Sequence, residues 1–177
     1  MLCAQVVVRT DPFAVPLADD LMVYPTPVTR QLVQAHQQHG SSVQDVPLAQ
    51  TCSYCIVAGP SKGERLSQIT HIVEKPAPEQ ATSTSTLAVA GRYILSGRIF
   101  EFLARNISGV GGEIQLTDAI AALADVESVH AWRYEGQRYD CVSKLGLLQA
   151  SVDLGEQHPE VGGDFRRWLQ NRRPVSY

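Results

Sequence analysis

The sequence of 177 residues lacks the long apolar runs and the basic excess that two broad classes of protein require. A membrane-spanning helix takes about 20 consecutive apolar residues, and no such run is present. The 15 Lys and Arg residues are outnumbered by 18 Asp and Glu, whereas a general nucleic-acid binder would normally carry a basic patch. The first residues, MLCAQVVVRTDPF, have neither the basic start nor the apolar centre of a signal peptide. We therefore expect a cytoplasmic protein with no nucleic-acid partner and no membrane partner.

Cysteine is scarce as well, and the four cysteines include one C-x-x-C pair, Cys52 and Cys55. A zinc site would need further ligands at a workable spacing, and the sequence has no second C-x-x-C. A redox pair would lie at the N-terminus of a helix, whereas TCSYCIVA has the pattern of a strand. Free, partly buried thiols are the simpler interpretation.

The patterning predicts a single α/β domain, because strand-like and helix-like segments alternate throughout and no internal repeat is visible. Apolar residues make up 44% of the chain, which is enough for one substantial core. The predicted strands are 13–17, 43–46, 53–58, 66–73, 87–95 and 129–136. The predicted helices lie within 25–40, 96–106, 109–125 (after a glycine loop), 143–154 and 165–171. Thr117 is the expected N-cap of the third helix.

The helix within 25–40 has the clearest signals of its kind. Val28, Leu32, Val33 and Ala35 fall on one helical face, and Gly40 suits the position just past the end.

Two adjacent aspartates, Asp19 and Asp20, follow the first predicted strand. Ligands of open α/β sheets gather at the carboxyl ends of strands, and paired carboxylates can hold Mg²⁺. The alternative is a loop in which one aspartate caps a helix.

Charged residues also follow two later strands. Lys75 can neutralise a phosphate, and Glu74 can accept hydrogen bonds from hydroxyl groups. The alternative for this pair is an exposed ion pair before a turn. Asp140 offers a third carboxylate, with a simple turn residue as its alternative.

The order of these motifs is more informative than each motif alone. FAVPLADDLM, IVEKP, LAVAGRYIL, GGEIQLTDAI, RYDCVSKLGLLQA and DFRRWL occur in the order found in bacterial UTP–glucose-1-phosphate uridylyltransferases, which the chain resembles over nearly its whole length. The resemblance implies a Rossmann-like nucleotidyltransferase fold, with a mixed sheet flanked by helices, as one domain over 1–177. It also implies that UTP and glucose 1-phosphate give UDP-glucose and pyrophosphate with Mg²⁺ as cofactor, through positioning and charge neutralisation.

The same resemblance implies roles for individual residues. Asp19 looks like the Mg²⁺-binding aspartate, Asp140 like the second acid near the metal, and Asp20 like a supporting residue. Lys75 looks like the phosphate contact and would share the catalytic role with Asp19. The implied substrate-binding set is Glu74, Lys75, Tyr54, Cys55 and Gly91.

The chain departs from the family pattern in two respects. The family's glycine-rich G-x-G-T-R loop is not found, and Gly111 and Gly112 do not replace it. Cys55 and Val142 stand where the family usually has glycine, and a β-branched residue such as Val142 is poorly suited to positive φ.

These departures shape the functional expectation. The fold is expected to be N-terminally truncated, with an inner sheet edge exposed. The isolated chain is then expected to make no UDP-glucose. The alternatives are a non-catalytic sugar-phosphate-binding or oligomerisation module, as a homo-oligomer or paired with a full-length relative, and a truncated gene product.

Overall fold

A computed structural model describes residues 1–47, 55–73, 87–105 and 115–172. The chain begins with a 3₁₀ turn over Leu2–Ala4. The strands are β1 Phe13–Pro16, β2 Asp20–Val23, β3 Ser42–Pro47, β4 Cys55–Ala58, β5 Leu66–Gln68, β6 His71–Val73, β7 Leu87–Leu95, β8 His130–Arg133 and β9 Gln137–Asp140. The helices are α1 Gln5–Val8, α2 Val28–His39, α3 Ile99–Ala104, α4 Leu116–Ala124, α5 Lys144–Gln157 and α6 Gly162–Asn171.

The described residues form a seven-stranded sheet in the order β5-β8-β3-β7-β4-β6, with β1 also paired to β7. β3 and β8 run parallel, and the other pairs are antiparallel. The sheet is therefore mixed, and helices pack against it. This confirms the predicted α/β class, a Rossmann-like fold with a mixed sheet flanked by helices.

The long central strand β7 is the axis of this sheet. β3 lies along one edge of β7, while β4 and β1 share the other edge, at Leu87–Val89 and Arg92–Leu95 respectively. The pairing with β3 skips Gly91 and Arg92, which face a register shift between Val43 and Gln44. Gly91 thus lies in the gap between β4 and β1, where its backbone groups are available to another element.

A second, two-stranded sheet stands apart from the first. β2 and β9 pair antiparallel, with Asp20 opposite Asp140 and Val23 opposite Gln137. Since β2 follows β1 after one tight turn, the small sheet is held next to the central strands.

The hydrophobic core lies between the large sheet and helices α3 and α4. Its fully buried side chains include Phe100, Leu95, Ile120 and Leu123. Burying a side chain of this size contributes about 1.5–3 kcal/mol. Phe13 of β1 stacks on Phe100 with ring centroids 5.2 Å apart, which ties the first strand to the core.

Three local predictions were wrong in detail. The 66–73 segment is two strands, because Leu66–Gln68 pairs with β8 whereas His71–Val73 pairs with β4. Val33 is 37% exposed, although Val28, Leu32 and Ala35 are buried as predicted. The N-cap of α4 is Gln115, and Thr117 is buried as the second residue of the helix.

Strand β1 pairs with one neighbour, β7, within the described residues. In helix α1, which precedes β1 in the chain, Val6 and Val7 are 82% and 85% exposed.

Among the described helices, none is long and apolar enough to cross a membrane.

His130 at the start of β8 is a buried histidine in contact with another. Its ring centroid lies 5.9 Å from that of His39, at the end of α2. Burial lowers the pKa of His130 below its usual value of 6.5, and the charges of His39 and Lys62 lower it further. His130 therefore favours the neutral form in the folded protein.

Candidate active site

The two adjacent aspartates occupy opposite environments. β1 ends at Pro16, and the chain then turns so that the Asp20 amide donates to the Leu17 carbonyl at 3.4 Å. Asp19 lies exposed at this turn, whereas Asp20 opens β2 and is 5% exposed. The sequence predicts a carboxylate pair, and the structure presents one carboxylate to solvent and buries the other.

The buried carboxylate of Asp20 joins the two sheets. Its Oδ2 accepts a hydrogen bond from the Gly91 amide of β7 at 2.7 Å, and its Oδ1 accepts one from Arg138 Nε of β9 at 2.7 Å. The Gly91 carbonyl in turn accepts from the Leu17 amide at 2.7 Å. The 17–20 turn is therefore fastened to the gap in the central strand.

Gly91 is required by this close approach. A Cβ built on Gly91 would lie 2.9 Å from the Cβ atoms of both Leu17 and Asp20, which is shorter than real contacts allow. The glycine lets the aspartate turn rest directly on the β7 backbone.

Asp140 lies at the end of the small sheet where Asp19 also lies. The Cys141 amide donates to the Asp19 carbonyl at 2.8 Å, so the two chain segments are in direct contact. The Asp140 carboxylate accepts a hydrogen bond from the Val142 amide at 3.1 Å. Asp140 is partly exposed, and its carboxylate is thereby oriented at the surface next to the Asp19 turn.

Helix α5 begins immediately behind Asp140 and fixes its backbone. Ser143 is the N-cap: its Oγ accepts from the Gly146 amide at 2.9 Å and donates to the Asp140 carbonyl at 2.9 Å. One step back along β9, the Tyr139 hydroxyl donates to Asp153 at 2.7 Å, a bond that raises the pKa of Tyr139. The positive end of the helix dipole also favours a carboxylate at the position of Asp140.

The other predicted site residues approach this region only in part. Cys55 starts β4 opposite Val89, two residues from Gly91 along β7. β6 ends at Val73, which pairs with Ile56, so the end of β6 lies next to the start of β4. Tyr54, Glu74 and Lys75 lie outside the described residues.

Val142 does not need the backbone conformation that a glycine would supply. Arg9 is the one non-glycine residue with positive φ in the described ranges, so Val142 has ordinary backbone geometry. Its side chain is 73% exposed beside Asp140. The expected strain at this position is therefore absent.

The two carboxylates of Asp19 and Asp140 suit a hard cation such as Mg²⁺, provided that substrate phosphates and water supply its other ligands. The described part of the chain has no cluster of three or more His, Cys, Asp or Glu side chains arranged around one metal position. Mg²⁺ is commonly bound by one or two carboxylates together with substrate phosphates and water. Asp19 and Asp140 could supply those two carboxylates, whereas a zinc site with four protein ligands would need more donors.

Arg138 is the residue at this site that sequence reasoning missed. In a strand, alternate residues share a face, so QRYD places Arg138 on the same face as Asp140. That alternation is a usable signal, but it indicates an ion pair only once the β2–β9 register is known.

Comparison with known proteins shows the family of the chain. The Nucleotidyl transferase family profile matches residues 1–139. The chain belongs to the nucleotidyl transferase family. It is 38% identical over 174 residues to the UTP–glucose-1-phosphate uridylyltransferase YngB of Bacillus subtilis, covering 97% of this chain and 58% of that protein.

Solved structures of nucleotidyl transferases match the fold closely. The UTP-bound UGPase from Acinetobacter baumannii aligns with a TM-score of 0.82 at 33% identity, over 97% of this chain and 60% of that chain. A UDP-glucose pyrophosphorylase complexed with UDP-glucose aligns with a TM-score of 0.78 at 36% identity, over 89% of this chain and 61% of that chain. The resemblance inferred from the motifs is confirmed, and the chain spans about three-fifths of the length of these relatives.

Proposed function

We propose that this chain carries the sugar-phosphate and metal site of a UTP–glucose-1-phosphate uridylyltransferase, in one domain over 1–177. The reaction would form UDP-glucose and pyrophosphate from UTP and glucose 1-phosphate. The observation that supports the proposal is the direct contact of the two chain segments that carry Asp19 and Asp140, which the bond from the Cys141 amide to the Asp19 carbonyl joins at the end of the β2–β9 sheet. The relatives that bear this name are similar over nearly the whole chain.

The geometry suits in-line phosphoryl chemistry, in which the sugar phosphate oxygen attacks the α-phosphorus of UTP and pyrophosphate leaves. Mg²⁺ bound by Asp19 and Asp140 would neutralise phosphate charge during this exchange. The protein's own task is positioning, which the turn at Asp19 and the Val142 amide at Asp140 support. In this proposal Lys75 contacts the phosphate and shares the catalytic role with Asp19, while Glu74 accepts from glucose hydroxyls.

The remaining substrate contacts follow the same proposal. Gly91 allows the central strand to approach the site closely, and Tyr54 and Cys55 border the sugar. UTP, glucose 1-phosphate and UDP-glucose are the proposed ligands.

A thermal melt with ligand tests the proposal. A ligand that binds only the folded state adds about 2.7 kcal/mol at a hundredfold excess over its Kd. UDP-glucose with Mg²⁺ should raise the Tm of the wild-type chain. The same rise is expected in Asp125→Asn, which removes an exposed carboxylate after α4, but not in Asp19→Asn. Equal shifts in all three proteins, or no shift in any, would count against the proposed site.

The edge of β1 that has no strand partner among the described residues favours a second candidate, a module that pairs with another copy or with a full-length relative. A strand paired to that edge would satisfy its backbone groups, and contact with a partner would also remove the exposed Val6 and Val7 from water. Light scattering after size exclusion, together with an assay of UDP-glucose formed from UTP and glucose 1-phosphate, separates the candidates. An inactive dimer or mixed complex supports the module, and an active monomer supports the enzyme.

A further inference from the structure

Asp20 and Arg138 form an ion pair that is almost completely withdrawn from water. Their side chains are 7% and 6% exposed, and the Oδ1–Nε distance is 2.7 Å. The second carboxylate oxygen accepts from the Gly91 amide at 2.7 Å. Both oxygens of Asp20 are therefore engaged in hydrogen bonds, and each bond is strengthened by charge.

A pair of this kind is not explained by stability alone. Removing two charges from water carries a large penalty, and apolar residues of similar volume often serve stability equally well. What the pair supplies is directional bonding between elements that apolar contacts would leave free to slide. The relevant question is which elements it holds together.

The pair joins both strands of the small sheet to the central strand of the large one. Asp20 begins β2, Arg138 lies in β9, and Gly91 lies in the gap of β7. Arg138 is two residues before Asp140 on one strand face, and Asp20 is the cross-strand partner of Asp140. Asp19 is bonded to Asp20 through the peptide chain and to Cys141 through its carbonyl.

Asp19 is therefore the chain neighbour of Asp20, and the partly exposed Asp140 is two residues from Arg138. A shift of Asp20 moves Asp19 with it, and a shift of Arg138 moves the end of β9 that carries Asp140. The Gly91 bond fixes both carboxylates against the large sheet.

From this arrangement we infer that Arg138 and Asp20 are positioning residues, which set the separation of Asp19 and Asp140 and so the affinity of the metal site. The inference rests on the proposed function, because it takes Asp19 and Asp140 as the metal carboxylates. In this inference Arg138 and Asp20 are not metal ligands and act through Asp19 and Asp140. Groups that orient metal ligands in this way are typically worth about tenfold or more in metal affinity.

The test is the binding of Mn²⁺ alone to the full chain, measured from the electron paramagnetic resonance signal of the free ion. Three proteins carry the comparison: wild type, Arg138→Lys, and the double variant Asp20→Asn with Arg138→Gln. Arg138→Lys keeps the buried charge but cannot reproduce the Nε donor geometry. The double variant removes both charges together, so that no uncompensated charge stays buried. Both should bind Mn²⁺ about tenfold more weakly than wild type.

A control separates positioning from loss of stability. Ile120→Val weakens the main core, away from the small sheet, and the urea midpoint of every variant is recorded beside its affinity. Ile120→Val should lower the midpoint without changing Mn²⁺ affinity. Asp19→Asn should abolish binding.

The outcomes distinguish the two proposals. If wild type binds Mn²⁺, Asp19→Asn does not, and the pair variants bind as tightly as wild type, the positioning role is wrong and the metal site stands. If wild type and Asp19→Asn do not differ, the metal site itself fails and the positioning role fails with it. If Ile120→Val weakens binding as much as the pair variants do, the effect is one of stability and the inference is overturned.

Discussion

Substitution of Gly146 by alanine should destabilise the fold, although alanine is the better helix former. Gly146 is the third residue of α5 and packs against the end of β9. A Cβ at this position would lie 2.1 Å from the Asp140 carbonyl oxygen and 2.8 Å from Ser143 Oγ. Real Cβ atoms essentially never come closer than 3.0 Å, so the start of the helix must move by about 1 Å.

The magnitude follows from three opposing contributions. Alanine gains about 1 kcal/mol of helix propensity over glycine. Overpacking against backbone costs about 1–3 kcal/mol, and loss of the Ser143 cap costs about 1 kcal/mol. The net expectation for Gly146→Ala is a loss of about 1–3 kcal/mol in the free energy of unfolding.

Gly163 provides a matched control in the first turn of α6. A Cβ built there meets nothing within 4 Å among the described residues, so Gly163→Ala should gain up to about 1 kcal/mol. Urea unfolding followed by circular dichroism gives both values. Equal effects of the two substitutions, or a stabilised Gly146→Ala, would refute the reasoning from contact geometry.

The other predictions concern the Asp20 turn, the α5 cap and the buried histidine. Gly91→Ala should cost about 1–3 kcal/mol in urea unfolding by displacing Asp20, whereas Gly63→Ala, where a Cβ meets nothing described within 4 Å, should stay near wild type. Equal urea midpoints for Gly91→Ala and Gly63→Ala would contradict the close packing of the Asp20 turn on Gly91. Ser143→Ala should cost about 1 kcal/mol, measured in the same way, and an unchanged midpoint would mean that the cap contributes nothing. Because the pKa of His130 is lowered in the folded state, the unfolded state takes up protons first, so stability should fall as the pH drops from 6.5 towards the lowered pKa and level off below it. His130→Gln should flatten that part of the pH profile, and an unchanged slope would remove His130 as its cause.

Elements with strong local signals could be predicted from the sequence. Helix α2 has apolar residues at helical spacing and ends at Gly40, which adopts φ 87° as a terminal glycine can. LAVAGRYIL predicts a strand with an internal glycine, and the gap in the pairing along β7 explains why the glycine is there. These features depend on short stretches of chain.

Features that depend on pairing could not be predicted. The 66–73 stretch has apolar residues at both ends and at Ile69, a pattern compatible with one strand. It divides because the Ile69 amide donates to the Val129 carbonyl while the Thr70 amide donates to the Ala58 carbonyl. Asp19 and Asp20 are chemically identical neighbours, and the contacts with Gly91 and Arg138 distinguish the one that is buried. Arg138 acquires its partner from a residue more than a hundred positions earlier, which no local pattern encodes.

The central claim is that Asp19 and Asp140 together form a metal site, and nuclear magnetic resonance of the ¹⁵N-labelled chain with Mn²⁺ tests it most directly. Paramagnetic broadening should appear first at the amides of Asp20, Cys141 and Val142, which adjoin the two carboxylates. The broadening should disappear in Asp19→Asn and in Asp140→Asn. Broadening centred on other acidic residues, or broadening that survives both substitutions, would contradict the account.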